Sequence, residues 1–298
     1  MYKCLSSAAF KLGAPHARKL AAYSMRLVAL TSTTEPPQNL QRNLMGLSFP
    51  SPLGLAAGFD KHGTLYCSLA PLGFGFAEIG SVIPLPEPQR SLGLDVVASV
   101  LSKYIRPHAI PLGVSISMNR ATPPEQMVND YLICMEKLWG FADYITLNLG
   151  VRAGPDLHLP EYRATLYTIL AAVKDKQVQM VAKSGRVCPI VVKIDQDRGD
   201  TNNLLSCVRD YAFNGLILSG GTHINDKKIT LANLQRASSK MSSNVPIISA
   251  GGIHTPQDVA DRLSAGASLV QLYSGIVESG PLLPRRINTY LSSIAAAC

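Results

Sequence analysis

Short apolar, β-branched runs recur along this chain, each followed by a longer stretch with helical spacing. No other feature narrows the fold as much. Eight runs stand out, at residues 52–57, 76–82, 110–117, 144–149, 189–194, 215–220, 245–251 and 269–275. Their near-continuous apolar character implies burial on both faces, as in a parallel sheet wrapped by helices. Eight such strand–helix units close an α/β (β/α)₈ TIM barrel. The rival is an open doubly wound sheet. Its GxGxxG fingerprint is missing, because Gly54-Leu55-Ala56-Ala57-Gly58 after the first run does not fit it. Helices are predicted at 123–139, 161–183, 201–213 and 256–265, with Asp200 and Thr255 as N-caps of the last two. The barrel is expected over residues 41–298, after an N-terminal amphipathic helical extension at 1–40.

A barrel needs a large core, and a chain of 298 residues with 47% hydrophobic and 16% charged residues supplies one. The net charge of +8 favours anionic partners. Basic residues are scattered and carry no nucleic-acid motif, so no nucleic-acid partner is expected. Six cysteines without CxxC pairing argue against a zinc site or a disulfide framework. They fit reduced, mostly buried thiols in a cytoplasmic protein. No uninterrupted apolar run reaches the ~18 residues of a membrane-spanning helix, and the start lacks the order of a signal peptide.

Within residues 1–32, Leu5, Phe10, Leu20 and Leu27 recur at helical spacing with Lys11, Arg18, Lys19 and Arg26 between them. Gly13-Ala14-Pro15 divides them into two short amphipathic helices. These fit either a membrane-surface pad or a cap packed on the barrel.

In this fold chemistry lies where strands end and the following loops begin. Those positions hold Ala57-Gly58-Phe59-Asp60-Lys61, Gly80-Ser81, Ser115, Asn148, Lys193, Ser219-Gly220-Gly221, Gly251-Gly252 and Tyr273-Ser274. The glycines after the seventh run and the loop after the eighth match the fold's common phosphate site. Lys61 and Lys193 end different strands, and a buried lysine there needs an anionic or electron-rich partner. The N1–C2=O edge of a flavin would serve. His62 is read as a helix-start residue, and Arg90, Arg106 and His108 receive no role.

The stretches Leu53-Gly-Leu-Ala-Ala-Gly-Phe-Asp-Lys-His-Gly63 and Leu72-Gly-Phe-Gly-Phe-Ala-Glu-Ile-Gly-Ser-Val82 closely resemble the opening of quinone-using, membrane-associated dihydroorotate dehydrogenases. Asp130-Tyr-Leu-Ile-Cys-Met-Glu-Lys137, Val192-Lys193-Ile194, Pro246-Ile-Ile-Ser-Ala-Gly-Gly-Ile253 and Ala265-Gly-Ala-Ser-Leu-Val-Gln-Leu-Tyr-Ser-Gly275 continue the likeness in one order. The resemblance implies FMN held by Ala56, Ala57, Gly58, Lys61, Ser81, Asn148, Lys193, Gly251, Gly252, Tyr273 and Ser274. It further implies a quinone or another electron acceptor, and peripheral contact of residues 1–32 with the inner membrane face.

Where the family reads Ser-Ser-Pro-Asn after the asparagine, this chain reads Leu149-Gly150-Val151-Arg152-Ala153. Val151 therefore stands at the position of the general base, and a valine cannot move a proton. Ala153 replaces a substrate-holding asparagine. Between Pro84 and Leu92 the family's Asn-Arg-x-Gly-Phe-Asn insertion is missing. Ser219-Gly220-Gly221 replaces Thr-Asn-Thr, the Gly-Gly-Leu-Ser-Gly loop that helps hold the FMN phosphate is absent, and Ser115 stands for an asparagine. Losing hydrogen-bond partners for a polar substrate costs roughly 1–3 kcal/mol for each group left unsatisfied. The expectation is an FMN-dependent oxidoreductase acting on a different small polar or anionic substrate, in a specialised biosynthetic pathway. A flavinless barrel with non-redox activity, or a non-catalytic binding or scaffold relative, is the alternative. Lys61, Arg152 and His158 are the candidate catalytic groups, with His223 beside them. No metal is expected.

Overall fold

The structure, a computed structural model, describes residues 13–32, 35–150, 157, 159–196, 201–220, 227–241 and 244–296. Helix α1 (Ala14–Ala29) starts after Gly13, with Pro15 in its first turn where a missing N–H costs nothing. Ala17, Ala21 and Met25 form its buried stripe. Of the two expected N-terminal helices, the second is α1, and residues 1–12 lie outside the described residues. The Gly13-Ala14-Pro15 break is where α1 begins.

A hairpin of β1 (Arg42–Leu44) and β2 (Leu47–Phe49) follows, and the sequence reading missed it. Leu44 pairs with Leu47, so Met45 and Gly46 alone make the turn, with φ values of 55° and 75°. Positive φ at both central residues is the type I′ geometry favoured in two-residue hairpins.

Next come β3 (Leu53–Leu55), β4 (Phe76–Val82), α2 (Leu94–Leu101), β5 (Leu112–Ile116), α3 (Met127–Leu138), β6 (Tyr144–Asn148) and α4 (Arg163–Ser184). They are followed by β7 (Ile190–Asp195), α5 (Thr201–Asp210), β8 (Gly215–Ser219), α6 (Lys227–Lys240), β9 (Ile247–Ala250), α7 (Pro256–Ser264), β10 (Leu269–Leu272), α8 (Ser274–Ser279) and α9 (Leu283–Ala295). Strands β3 to β10 pair in parallel with their neighbours, and β10 pairs with β3, closing a (β/α)₈ barrel. All eight predicted runs became barrel strands; 76–82 is kept whole, 189–194 is shifted by one residue, and the rest are trimmed by a few residues at their ends. Thr255 caps α7 through a capping box with Asp258, as expected. Asp200 lies outside the described residues. The helix predicted at 201–213 stops at Asp210, and Ala212 turns into the left-handed region with φ 51°.

The floor of the barrel is filled by Phe49, Phe76, Tyr144, Val191, Ile217, Ile248 and Leu269, with the β1–β2 hairpin packed beneath. Phe49 meets Phe76 edge to face at 5.5 Å. Two glycines make room for the large rings. A Cβ on Gly54 would lie 2.3 Å from the Phe76 ring, and one on Gly113 would lie 2.1 Å from Tyr144. Among the described residues no helix is long and apolar enough to cross a membrane. Cys134, Cys188 and Cys207 are buried as expected, whereas Cys67 is exposed.

Candidate active site

Above the floor, the barrel interior holds a charged layer. Glu78 on β4 is fully buried, and its Oε2 accepts from Thr146 Oγ1 at 2.9 Å, Gln271 Nε2 at 3.1 Å and Tyr144 OH at 3.3 Å. Since β4, β6 and β10 are not all neighbours, these bonds run across the barrel interior. Its other oxygen, Oε1, has no hydrogen-bond partner among the described residues and faces the Lys193 ammonium at 4.0 Å. Lys193 stands in register with Asn148 on β6. The anionic partner that a buried lysine requires is thus partly internal. A lone carboxylate in the otherwise apolar 76–82 run was the available signal for Glu78.

The mouth is built on the strand ends. Asn148 Nδ2 donates to Ser81 Oγ at 2.7 Å, and Ser81 Oγ lies 3.0 Å from Ser115 Oγ. Asn148 Oδ1 accepts from Gly150 N at 3.1 Å. The Ala56 amide donates to Leu272 O and the Gly58 amide to Gly80 O, locking the turn that carries Ala57. Gly58 has φ 92°, and Tyr273 closes over it, stacked edge to face on Phe59 at 5.6 Å. Gly251 and Gly252 also have positive φ. A Cβ on Gly251 would fall 2.1 Å from Gly220 O, so no side chain fits there. Buried Arg262 on α7 donates to Gly251 O and Ser249 Oγ and pins that loop.

Lys61 does not point freely into the mouth. Its ammonium donates to Gln89 O at 2.7 Å, on the shortened loop after β4. Burial, then the nearby charges of Arg18 and Arg90, hold the Lys61 ammonium below the ordinary lysine value. Asp60, not His62, organises the turn, accepting from the amides of Gly63, Thr64 and Leu65. Burial nevertheless keeps its carboxyl above the ordinary value, against the pull of those amides. His62 therefore starts no helix, and its Nε2 is buried without a hydrogen-bond partner among the described residues.

The short loop carries hydrogen bonds of its own. Glu87 Oε1 accepts from the Asn119 side chain and the Arg120 amide, while Oε2 pairs with Arg90 at 2.8 Å. Asn119 further exchanges two hydrogen bonds with the Leu85 backbone, and Arg90 reaches Met118 O. Arg90 is thereby a loop-binding residue. Arg106 and His108 both serve Asp143 beneath the sheet.

Val151, Arg152, Ala153, His158 and His223 lie outside the described residues. Among the described residues no group of three or more His, Cys, Asp or Glu is placed to hold a metal ion. His254, which the sequence reading did not single out, sits beside the phosphate-side loops. Its Nε2 lies 3.3 Å from Ser274 Oγ and its Nδ1 2.8 Å from Glu278 Oε2.

The family model described as dihydroorotate dehydrogenase matches residues 39–91 and 217–294. A quinone-type dihydroorotate dehydrogenase of Methylobacillus flagellatus is 32% identical, covering 95% of this chain and 97% of that protein. The chain belongs to the dihydroorotate dehydrogenase family. A second relative of the same description, from Chloroflexus aurantiacus, is 33% identical over 94% of this chain and 92% of its own length. Among solved structures, the Eimeria tenella dihydroorotate dehydrogenase in complex with ferulenol superposes with a TM-score of 0.81 at 24% identity. It covers 94% of this chain and 92% of its own, a likeness of fold. The ligand-free form gives 0.79 at 25% identity, covering 93% and 95%. Within this family the unmatched residues 92–216 include the rewritten loop after β6.

Proposed function

We propose that this chain is an FMN-dependent oxidoreductase of the dihydroorotate dehydrogenase type, acting on a small polar or anionic substrate other than dihydroorotate. The observation that carries the flavin is Lys193. Among the described residues its charged partner is Glu78 at 4.0 Å, beyond hydrogen-bond reach, which leaves ammonium protons to serve an electron-rich ring edge. The side-chain-free cradle at Gly58, Gly251 and Gly252 fits a cofactor that approaches the backbone closely.

FMN would be held by Ala56, Ala57, Gly58, Lys61, Ser81, Asn148, Lys193, Gly251, Gly252, Tyr273 and Ser274. When bound it supplies hydride acceptance, with a quinone or another acceptor taking the electrons onward. Asn148 and Ser81 orient polar ring atoms, and Tyr273 with Phe59 screens the mouth from water. The Lys61 ammonium binds a polar group once it leaves the Gln89 carbonyl. Arg152 clamps an anionic substrate, and His158 takes the proton that Val151 cannot. A flavoenzyme with a new substrate is favoured because the loop after β4, though shortened, is tied down by hydrogen bonds from Asn119, Arg120 and Arg90.

Peripheral membrane contact through residues 1–32, on the cytoplasmic side, fits the exposed Tyr23 and Leu27 of α1 and Leu30 just after it. The visible spectrum of purified protein, with mass spectrometry of released cofactor, tests the flavin. Yellow protein that yields FMN is expected. Colourless protein that refuses added FMN overturns the reading and leaves the flavinless barrel. Rescue of a pyrimidine auxotroph would overturn the change of substrate alone.

A further inference from the structure

We propose that Glu78 is a positioning residue of the flavin site, one that neutralises Lys193 without gripping it and so sets the reduction potential of bound FMN. This rests on the flavin reading above and gives a role to a buried carboxylate that the reading leaves unused.

Alternate residues of a strand share a face, so Glu78 and Thr146 lie one layer beneath Gly80 and Asn148 at the mouth. Three donors from two other strands fix the Glu78 carboxylate. They are Thr146 Oγ1 and Tyr144 OH from β6 and Gln271 Nε2 from β10, all on Oε2. Held in this way, the side chain does not swing onto Lys193, and Oε1 stops 4.0 Å from the ammonium. That separation is too long for a hydrogen bond but well within Coulomb reach. A direct bond would commit an ammonium proton to Glu78. The pinned geometry supplies the charge and leaves the protons for a ligand at the mouth. The Lys193 side chain is 14% exposed and that of Glu78 0%, so the lysine alone can meet such a ligand.

The same contacts favour the ionised carboxylate. A proton on Oε1 would face the ammonium and find no acceptor among the described residues. Reduction of a flavin adds negative charge at its N1–C2=O edge. Lys193 favours that charge and Glu78 opposes it, one layer further down. With Glu78 in place, electrons therefore leave the site more readily toward an acceptor.

The reduction potential of the FMN-loaded protein, read by equilibration with a redox dye, tests this. Glu78→Gln keeps the size of the side chain and removes its charge. It should strengthen binding of reduced relative to oxidised FMN about tenfold, a rise of about 30 mV for two electrons. Glu78→Asp keeps the charge but draws it back from Lys193. It should give a smaller rise, and it carries the test if Glu78→Gln does not fold. Thr146→Val disturbs the same layer without altering its charge, and should leave the potential where it was. Absence of a rise in the Glu78 variants overturns the assignment, and so does an equal rise in Thr146→Val. Wild-type protein that takes up no FMN overturns the underlying flavin reading instead.

Discussion

At the scale of single residues, the Glu78–Lys193 pair is the most exposed to test. Three neutral donors crowd onto Glu78 Oε2, and Lys193 is the charge facing Oε1. Removing one member of a buried pair leaves the other uncompensated, at a cost of about 3–5 kcal/mol. Lys193→Ala is therefore expected to lose about 3 kcal/mol of stability in flavin-stripped protein, read by urea unfolding. The double substitution with Glu78→Gln should recover much of it. If Lys193 answered only to a flavin, the single substitution would leave the stripped protein unchanged. Gly251→Ala belongs to the same scale. Its φ of 99° and the 2.1 Å approach to Gly220 O predict a loss of about 1–3 kcal/mol, visible as a lowered urea midpoint.

At the scale of elements, the shortened loop after β4 hangs on Asn119. Its side chain joins Leu85 and Glu87, and it is 8% exposed. Asn119→Ala should cost about 2 kcal/mol and make the peptide bonds near Gln89 more open to protease. Thr255→Ala should cost about 1 kcal/mol by removing the α7 cap, again by urea unfolding. These elements were unequally legible in the sequence. The barrel strands announced themselves because burial on both faces leaves unbroken apolar runs. The hairpin did not, since its strands are three residues long and its I′ turn reads Met45-Gly46 rather than Asn-Gly. Met45 tolerates φ 55° because it packs against the barrel floor, a tertiary effect that no local pattern carries. The glycine and lysine positions of the candidate site were legible from strand ends. The His254 bridge was not, because Ser274 and Glu278 lie 20 and 24 residues away along the chain. That Lys61 is held by Gln89 also depended on how the shortened loop folds back.

For the whole molecule, acid stability follows from three carboxylates. Burial pushes Asp143 up, but the His108 hydrogen bond, the Leu112 amide and Arg106 bring it below the ordinary value. Asp258, through Lys227 and the cap amides, and Glu87, through Arg90, are likewise lowered against burial. A lowered folded-state value means the unfolded chain binds the proton more readily. Their stabilisation is thus complete above the unfolded value near ~4 and is lost as pH falls through the lowered values. Asp60, raised by burial, acts in the opposite sense and returns stability on acidification. The urea midpoint should hold steady near neutrality and fall below about pH 4. Asp143→Asn should lower that plateau and flatten the acid limb. A midpoint that fell equally in wild type and Asp143→Asn would remove Asp143 from the account. The glycines of the barrel floor bear on descent as well as packing. Phe76 occupies the space a Gly54 side chain would need, and Tyr144 does the same at Gly113, so neither glycine can gain a side chain while its ring is in place. An ancestor could exchange such a pair only by shrinking the ring first and enlarging the glycine second, since the reverse order puts two groups in one volume.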